Sequence, residues 1–475
     1  DDLVLKIENP RLWSPKSPYL YNLKILLKES NQNIDIIKSY FGMRKISLGK
    51  DEKGKTRIML NNEFVFQLGP LDQGFWPDGI YTAPTDAALR YDIEVTKLLG
   101  FNMTRKHVKV EPDRWYYWCD RLGLLVWQDM PSANNKTPES KQQFEFELEQ
   151  LIKTHRNHPS IIMWVVFNEG WGQYDTERLV KMVKGLDPER LVNNASGWTD
   201  KQTGDIHDIH MYPGPAAVPP EKNRAAVLGE FGGLGLKIEG HTWEESTWGY
   251  RGTENREHLT RRYQRLLQKL YEYKDDPGLS AGIYTQITDV ETEANGLMTY
   301  DREIIKVDDE KAFSANRGDF STLPEIKIVV PTSQKSGLTW KYTFEKPEDN
   351  WFDPDYDDSS WKTGKGGFGK QGTPGAVNRT EWTTENIWLR REFDFPSGQI
   401  QNLQLYIHHD EDADVYINGI PAAEISGYTT DYEESPISPE ALAGIKPGRN
   451  SIAVYCKNAR GGQYIDIGFV ELVEK

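Results

Sequence analysis

Cysteine is almost missing from this chain. Cys119 and Cys456 are the only two, and they stand far apart in 475 residues. Neither sits at metal-ligand spacing, and no disulfide framework is expected. A chain this long buries enough core to need no such staple and has room for about two or three domains. Long apolar runs are missing too. No stretch of about 18 apolar residues occurs, so no membrane-spanning helix is expected. The opening "DDLVLKIENP" is acidic and has no apolar signal core. Positive charge is in deficit, with 57 Lys+Arg against 72 Asp+Glu and a net charge of −15, so a nucleic-acid backbone would be repelled. No solenoid repeat and no low-complexity tract interrupts the chain.

Aromatic residues, by contrast, are plentiful: 12% of the chain, with 15 Trp and 23 Tyr. Rings that stack on sugar faces are one use for them, and core packing is the ordinary one. Residues 1–50 alternate apolar and polar in "LYNLKILLKES" and "IDIIKSYFGMRKISL". About three strands fit there, the tail of a β-sandwich. Residues 51–326 change register. Short apolar runs alternate with charged, helix-patterned stretches, which predicts βα units and a parallel sheet. Eight candidate strands are "EFVFQLGP", "FNMTRKH", "LLVWQDMP", "IIMWVVFNE", "RLVNNASG", "DIHDIHMY", "AAVLGEFG" and "SAGIYTQITD". Eight in about 270 residues match a (β/α)8 TIM barrel. An open doubly wound sheet is the alternative, and the lack of G-x-G-x-x-G after the first strand counts against it. Residues 327–336 read as a linker. Residues 337–475 carry short alternating strands between turns such as Asn418-Gly419, an all-β sandwich or jelly roll.

A TIM barrel holds its active site at the C-terminal ends of its strands. Strand four ends in Asn168-Glu169 and strand seven in Glu230. Paired carboxylates do glycoside hydrolysis: one protonates the leaving oxygen, the other attacks the anomeric carbon or activates water. Strands four and seven can meet across the barrel mouth at about 5 Å, the retaining geometry. Trp164 and Trp171 flank Glu169 and are expected to make its surroundings apolar, which suits a general acid. Glu230 lies between Gly229 and Phe231-Gly232-Gly233, small neighbours expected to make room for a sugar ring. Tyr212 is placed to hydrogen-bond Glu230 and keep it ionised, and Asn168 to hold a sugar 2-hydroxyl. Arg105, His107, Asp129, Trp198, His210 and Asp289 complete the candidate substrate-binding set. His107, His207 and His210 offer a zinc alternative, but the first strand lacks the His-x-His such barrels carry, so no metal is expected at the catalytic site. No cofactor is expected to be required.

Several stretches resemble glycoside hydrolase family 2, the group of β-galactosidases, β-glucuronidases and β-mannosidases. "NPRLWSPKSPYLYNL" and "SYFGMRKISL" look like the closing strands of its immunoglobulin-like domain. "LLGFNMTRKHVKVEPDRWYYWCDRLGLLVWQDMP" looks like its second and third barrel strands. "RNHPSIIMWVVFNEGWG" resembles its acid/base segment and "LGEFGG" its nucleophile segment. The resemblance covers roughly residues 8–305. It implies a retaining exo-β-glycosidase with Glu169 as acid/base, Glu230 as nucleophile, and Arg105, Asn168 and Tyr212 beside the substrate. It also implies a partial immunoglobulin-like sandwich over residues 1–50 and a galactose-binding-like jelly roll over 337–475. A Trp often stands in the family where Thr285 stands here, and the glucuronidase Asn-x-Lys clamp is not evident after the nucleophile. A β-galactoside is the default glycone. A glucuronide, another glycone or a non-catalytic carbohydrate-binding role are the alternatives. In the jelly roll, Asp410, Asp412 and Asp414 are read as alternating along one strand with a structural role, favoured over a structural calcium site. Trp382 and Trp388 are candidate sugar contacts there. The substrate class points to a periplasmic or secreted protein, and the oligomeric state is open.

Overall fold

The computed structural model describes residues 4–132 and 134–475 and divides into two compact units, residues 1–320 and 321–475. All eight barrel strands lie where the apolar runs place them. They are β1 Gln67–Asp72, β2 Met103–Lys106, β3 Leu125–Asp129, β4 Ile161–Val165, β5 Leu191–Asn193, β6 Ile206–Met211, β7 Ala225–Gly232 and β8 Ala281–Thr285. They form one parallel sheet in the order β5-β4-β3-β2-β1-β8-β7-β6. The β5–β6 seam is joined by the Asp205 N–H on the Val192 carbonyl at 2.8 Å and the Val192 N–H on the Asp205 carboxylate at 2.7 Å.

Six helices flank the sheet among the described residues: α1 Asp86–Leu98, α2 Asp113–Leu122, α3 Pro138–His155, α4 Thr176–Leu186, α5 Arg256–Asp275 and α6 Asp309–Asn316. No helix follows β5 or β6. The β6–β7 connection "YPGPAAVPPEKN" holds four prolines, which lack the N–H a helix needs. The α1 cap is Thr85, whose hydroxyl accepts from the Ala88 N–H at 3.0 Å.

Alternation along the strands sorts the barrel core. Leu125, Trp127, Met163, Val165, Ala225, Val227, Ala281 and Ile283 fill the interior. Val126, Trp164 and Val166 pack outward with α3 and α4 residues, and Ala226 and Leu228 with α5. Trp13, Ile46, Ile58 and Leu60 join the interior cluster. This corrects the expected third sandwich strand. Ile46–Lys50 pairs with Thr56–Leu60, and Glu63–Phe64 adds a third strand, so this segment packs onto the barrel. Only Tyr21–Glu29 and Gln32–Phe41 remain as a separate antiparallel ribbon, turned at Ser30 and Asn31 with φ of 47° and 66°.

The C-terminal unit is a sandwich of two six-stranded sheets, as expected of a jelly roll. Residues expected to form a linker from 327 onward partly belong to the strand Glu325–Val330, which pairs with Tyr464–Val473. The Asn418-Gly419 hairpin joins Asp412–Ile417 to Ile420–Ile425, with φ of 50° and 81° at the turn. Two expectations fail here. Trp382 is fully buried and Trp388 nearly so, which removes both as surface sugar contacts. Asp410 ends the strand Leu403–Asp410 of one sheet, whereas Asp412 and Asp414 lie in the other, so the three carboxylates do not alternate along one strand.

Candidate active site

Glu169 leaves β4 with φ at +52°, a left-handed conformation uncommon for a residue with a side chain. This turn belongs to a tight loop in which the Trp171 N–H returns to the Asn168 carbonyl at 2.9 Å. The Glu169 carboxylate meets His210 Nδ1 at 2.9 Å. The two tryptophans do not make its pocket apolar. Trp164 faces the helices, where its indole N–H donates to Asp187 at 3.0 Å, and Trp171 is 68% exposed. An odd and an even strand position point to opposite faces, so Trp164 and the barrel interior are separated by the pleat.

His210 is the hub of a buried chain. Ser196 Oγ donates to Asp208 Oδ2 at 2.6 Å and lies 2.7 Å from His210 Nε2. Asp208 also accepts from Asn193 Nδ2 and from the Gly229 N–H, each at 2.7 Å. Burial alone would lower the His210 pKa, but the charges of Glu230 and Asp208 and the bond to Glu169 raise it above its ordinary value.

Glu230 sits at a bulge. The β6–β7 register runs Ile209↔Leu228 and then His210↔Glu230, skipping Gly229. Bulges beside active sites re-aim a side chain, and here the re-aimed one is Glu230. The reason for glycine at 229 is not space for a sugar. A Cβ there would come within 2.3 Å of Asp208 Oδ1 and 2.5 Å of Ser196 Oγ, so the glycine accommodates the His210 support chain. Gly232 and Gly233 likewise abut the rings of Tyr284 and Tyr250.

The Glu230 carboxylate is 5% exposed and surrounded by donors. Arg105 Nη1 donates to Oε1 at 3.1 Å and Tyr212 O–H to Oε2 at 2.5 Å. His107 Nδ1 stands 3.9 Å and His210 Nδ1 3.5 Å away. Burial would raise the Glu230 pKa; His210, His107 and Arg105, with the Tyr212 hydrogen bond, outweigh it and hold the carboxyl below its ordinary value. Arg105 is fully buried and also grips Asp129 at 2.8 and 3.1 Å and the Asn168 oxygen at 2.8 Å. Asp129 takes a further contact from His107 at 3.2 Å. Arg105 and Asp129 therefore stand behind Glu230, their bonds committed to the protein. One oxygen of Glu169 and one of Glu230 lie within 4.8 Å of each other, with His210 between them.

The remaining expected residues divide. Trp198 leaves β5 and stands edge-on to His210, ring centroids 5.6 Å apart, 65% exposed. Asp289 is buried and held by Lys306 at 2.6 Å and the Gly296 N–H at 2.7 Å, so it ties down the loop after β8. The three histidines of the zinc alternative do not converge. His207 points to the other face of β6 and meets Glu221 at 3.3 Å. Glu169, His210 and Glu230 are near enough to share a cation, but the Arg105 guanidinium already supplies positive charge there.

The residues from 83 to 338 match the family model "Glycosyl hydrolases family 2, TIM barrel domain", and residues 1–44 match "Glycosyl hydrolases family 2". The chain belongs to glycosyl hydrolase family 2. Among relatives in this family, a β-galactosidase of Leuconostoc mesenteroides is 28% identical over 217 residues, 43% of this chain and 20% of that protein. A β-glucuronidase of Streptococcus agalactiae is also 28% identical, over 238 residues, 44% of this chain and 38% of that protein. The match thus spans less than half the length of either relative. A crystal structure of Parabacteroides merdae β-glucuronidase superposes with a TM-score of 0.53 at 14% identity, covering 98% of this chain and 70% of that one, a likeness of fold.

Within this family 2 barrel, three neighbours of the carboxylates were not anticipated. Ser196 supports His210. Tyr250 stacks on Tyr212 with centroids 3.7 Å apart. Glu293, after β8, accepts from Asn295 Nδ2 at 2.8 Å, and its pKa is raised by burial and by the charge of Glu230. An aromatic in "STWGYRG" and a carboxylate beside Asn-Gly in "ETEANG" were the only signals, and neither has a strand period to mark it. Thr285, at the family's frequent Trp position, lies 2.8 Å from the Tyr212 hydroxyl.

Proposed function

We propose that this chain is a retaining exo-β-glycosidase that removes terminal β-linked sugars from oligo- or polysaccharides. The observation that carries the reading is the Glu169–Glu230 approach within 4.8 Å. Retaining enzymes hold their carboxyl groups about 5–5.5 Å apart, whereas inverting ones leave about 6.5–9.5 Å for a water. Glu230, ionised by its cationic and phenolic neighbours, attacks the anomeric carbon. Glu169 gives a proton to the leaving oxygen, and the C–O bond breaks as the glycosyl–Glu230 ester forms. Glu169 then takes a proton from water, which attacks the same carbon and frees Glu230. The His210–Ser196–Asp208 chain holds Glu169 in place through both steps. Arg105 and Asp129 act through Glu230. Asn168, its oxygen fixed by Arg105, turns its amide nitrogen to the sugar 2-hydroxyl, a contact that strengthens in the transition state.

For the glycone we favour a neutral sugar, with β-galactoside first. Glu169, Glu230, Asp129 and Glu293 surround the site, and Arg105 is already committed to Asp129 and Glu230. A uronate carboxylate would enter against that charge. Acid, nucleophile and counter-charges all come from side chains, so we read the chain as needing no cofactor. A periplasmic or secreted location goes with a polysaccharide substrate, and no helix among the described residues is long and apolar enough to cross a membrane.

The test is nitrophenol release from a panel of aryl β-glycosides, galactoside and glucuronide included. Glu230→Gly should abolish hydrolysis, and azide should restore turnover with an inverted glycosyl azide as product. Full activity in Glu230→Gln would remove the nucleophile assignment, and absence of azide rescue would count against the covalent intermediate. Preference for the glucuronide would overturn the neutral glycone alone.

A further inference from the structure

Of the 15 tryptophans, ten are buried, and Trp118 on α2 is part-buried. The other four, Trp171, Trp198, Trp243 and Trp248, are exposed, and all stand on loops that leave the C-terminal ends of β4, β5 and β7. A large indole is highly buried on average, so four exposed together at one barrel end need a reason. Two of them, Trp171 and Trp198, stand on the acid side. Trp171 is two residues past Glu169, and Trp198 stands against His210, the partner of Glu169.

Their loops are braced to one another. Gln173 Nε2 donates to the Thr199 carbonyl at 3.2 Å, and Ser132 Oγ donates to the Trp171 carbonyl at 2.6 Å. Below Trp198, Asp200 is gripped by Asn194 at 2.9 Å and by Arg224 at 2.7 Å. Both indoles are therefore carried on loops tied down by hydrogen bonds, which limits the entropy lost on binding. An apolar ring face with one polar N–H suits a pyranose, whose C–H face is apolar and whose rim is hydroxylated.

We infer that Trp171 and Trp198 form a stacking platform for the sugar that leaves, so that the enzyme is built for glycan linkages, in which a pyranose ring follows the cleaved bond. The inference rests on the glycosidase reading above. The proton of Glu169 goes to the leaving-group oxygen, so whatever occupies the Glu169 side is by definition the leaving group. A platform there binds the ring next to the bond and leaves the selection of the terminal sugar to the other wall, where Tyr212 and Tyr250 stack beside Glu230.

The experiment compares three galactosides with different leaving groups: lactose, whose glucose can stack; β-galactosyl fluoride, which has no ring to lose; and octyl β-galactoside, whose chain is apolar but not a sugar. The readout is the ratio of kcat/KM for lactose to that for the fluoride. In Trp171→Ala and Trp198→Ala this ratio should fall about tenfold or more, and Trp171→Phe and Trp198→Phe should recover much of it. Turnover of the fluoride by each variant shows that the barrel has folded. A ratio unchanged within about twofold overturns the platform. An equal loss for the octyl galactoside overturns it as well, leaving a general apolar surface. Wild-type enzyme that cleaves the fluoride but not lactose refutes the platform alone. Wild-type enzyme that cleaves neither refutes the galactosidase reading and takes the platform with it.

Discussion

Tyr212→Phe removes one oxygen and tests the electrostatics of Glu230, the proposed nucleophile. The hydroxyl donates to Glu230 Oε2 at 2.5 Å, and the ring remains stacked on Tyr250, so the substitution keeps shape and deletes the bond to Glu230 together with the 2.8 Å contact to Thr285. A hydrogen bond to a charged group is worth about 1.5–3 kcal/mol. The part that favours the ionised form over the protonated one appears as a pKa shift, and about 1.36 kcal/mol corresponds to one unit. Burial pushes Glu230 up; His210, His107, Arg105 and Tyr212 together hold it down. Without Tyr212 the pKa rises, and a higher pH is needed to ionise the nucleophile. The acid limb of kcat/KM should therefore move up by about one to two units. Below that limb the variant should be slower by about ten- to a hundredfold, and the two enzymes should converge as pH rises. The assay is a kcat/KM profile on an aryl β-galactoside, with thermal unfolding measured beside it. An acid limb that stays in place would refute the reasoning. So would a uniform loss at every pH with a lowered Tm, which would mark Tyr212 as a packing residue only.

Three further outcomes follow from other contacts. Glu293→Gln removes a part-buried carboxylate near Glu230 and keeps an acceptor for Asn295, so the glucuronide-to-galactoside ratio of kcat/KM should rise about tenfold; an unchanged ratio would place Glu293 outside glycone selection. Gly170→Ala should destabilise by about 1–3 kcal/mol in denaturant unfolding and depress kcat, because φ is +83° there and a Cβ would stand 2.8 Å from Thr199 Cγ2; wild-type kinetics and stability would contradict it. His408, in the C-terminal sandwich, is pushed down to about 4 by burial, while Asp431 opposes the shift. Its unfolded form takes up a proton near pH 6.5 and its folded form only near 4, so about 3 kcal/mol of stability is lost as pH falls through that window. In His408→Leu, unfolding of the sandwich should depend less on pH between 6.5 and 4; an equal acid sensitivity would assign it to other groups.

Much of the barrel was legible because each strand is a short apolar run with its own period. The apolar run that starts at Ile161 supplies β4, a strand buried on both faces from Ile161 to Val165, and the barrel opens where Asn168 and Glu169 follow. Ile46–Lys50 was misplaced because alternation reads alike in a sandwich strand and in a strand packed onto a barrel. Asp410 was misplaced because the chain passes to the other sheet right after it, and no local pattern marks that passage.

The sequence alone determined the element types and the barrel, and it singled out the two glutamates of the proposed pair, because periodicity and strand-end chemistry are local properties. Tertiary structure decided which atoms meet. It put Trp164 on the outer face, gave Gly229 to Asp208 and Ser196, hung Glu169 on His210, and brought Glu293 toward Glu230. These contacts join residues on different strands and loops, from 21 to 63 positions apart. Only closure of the sheet, with its bulge at Glu230, sets the distance between the two carboxylates, and that distance is what makes them a pair.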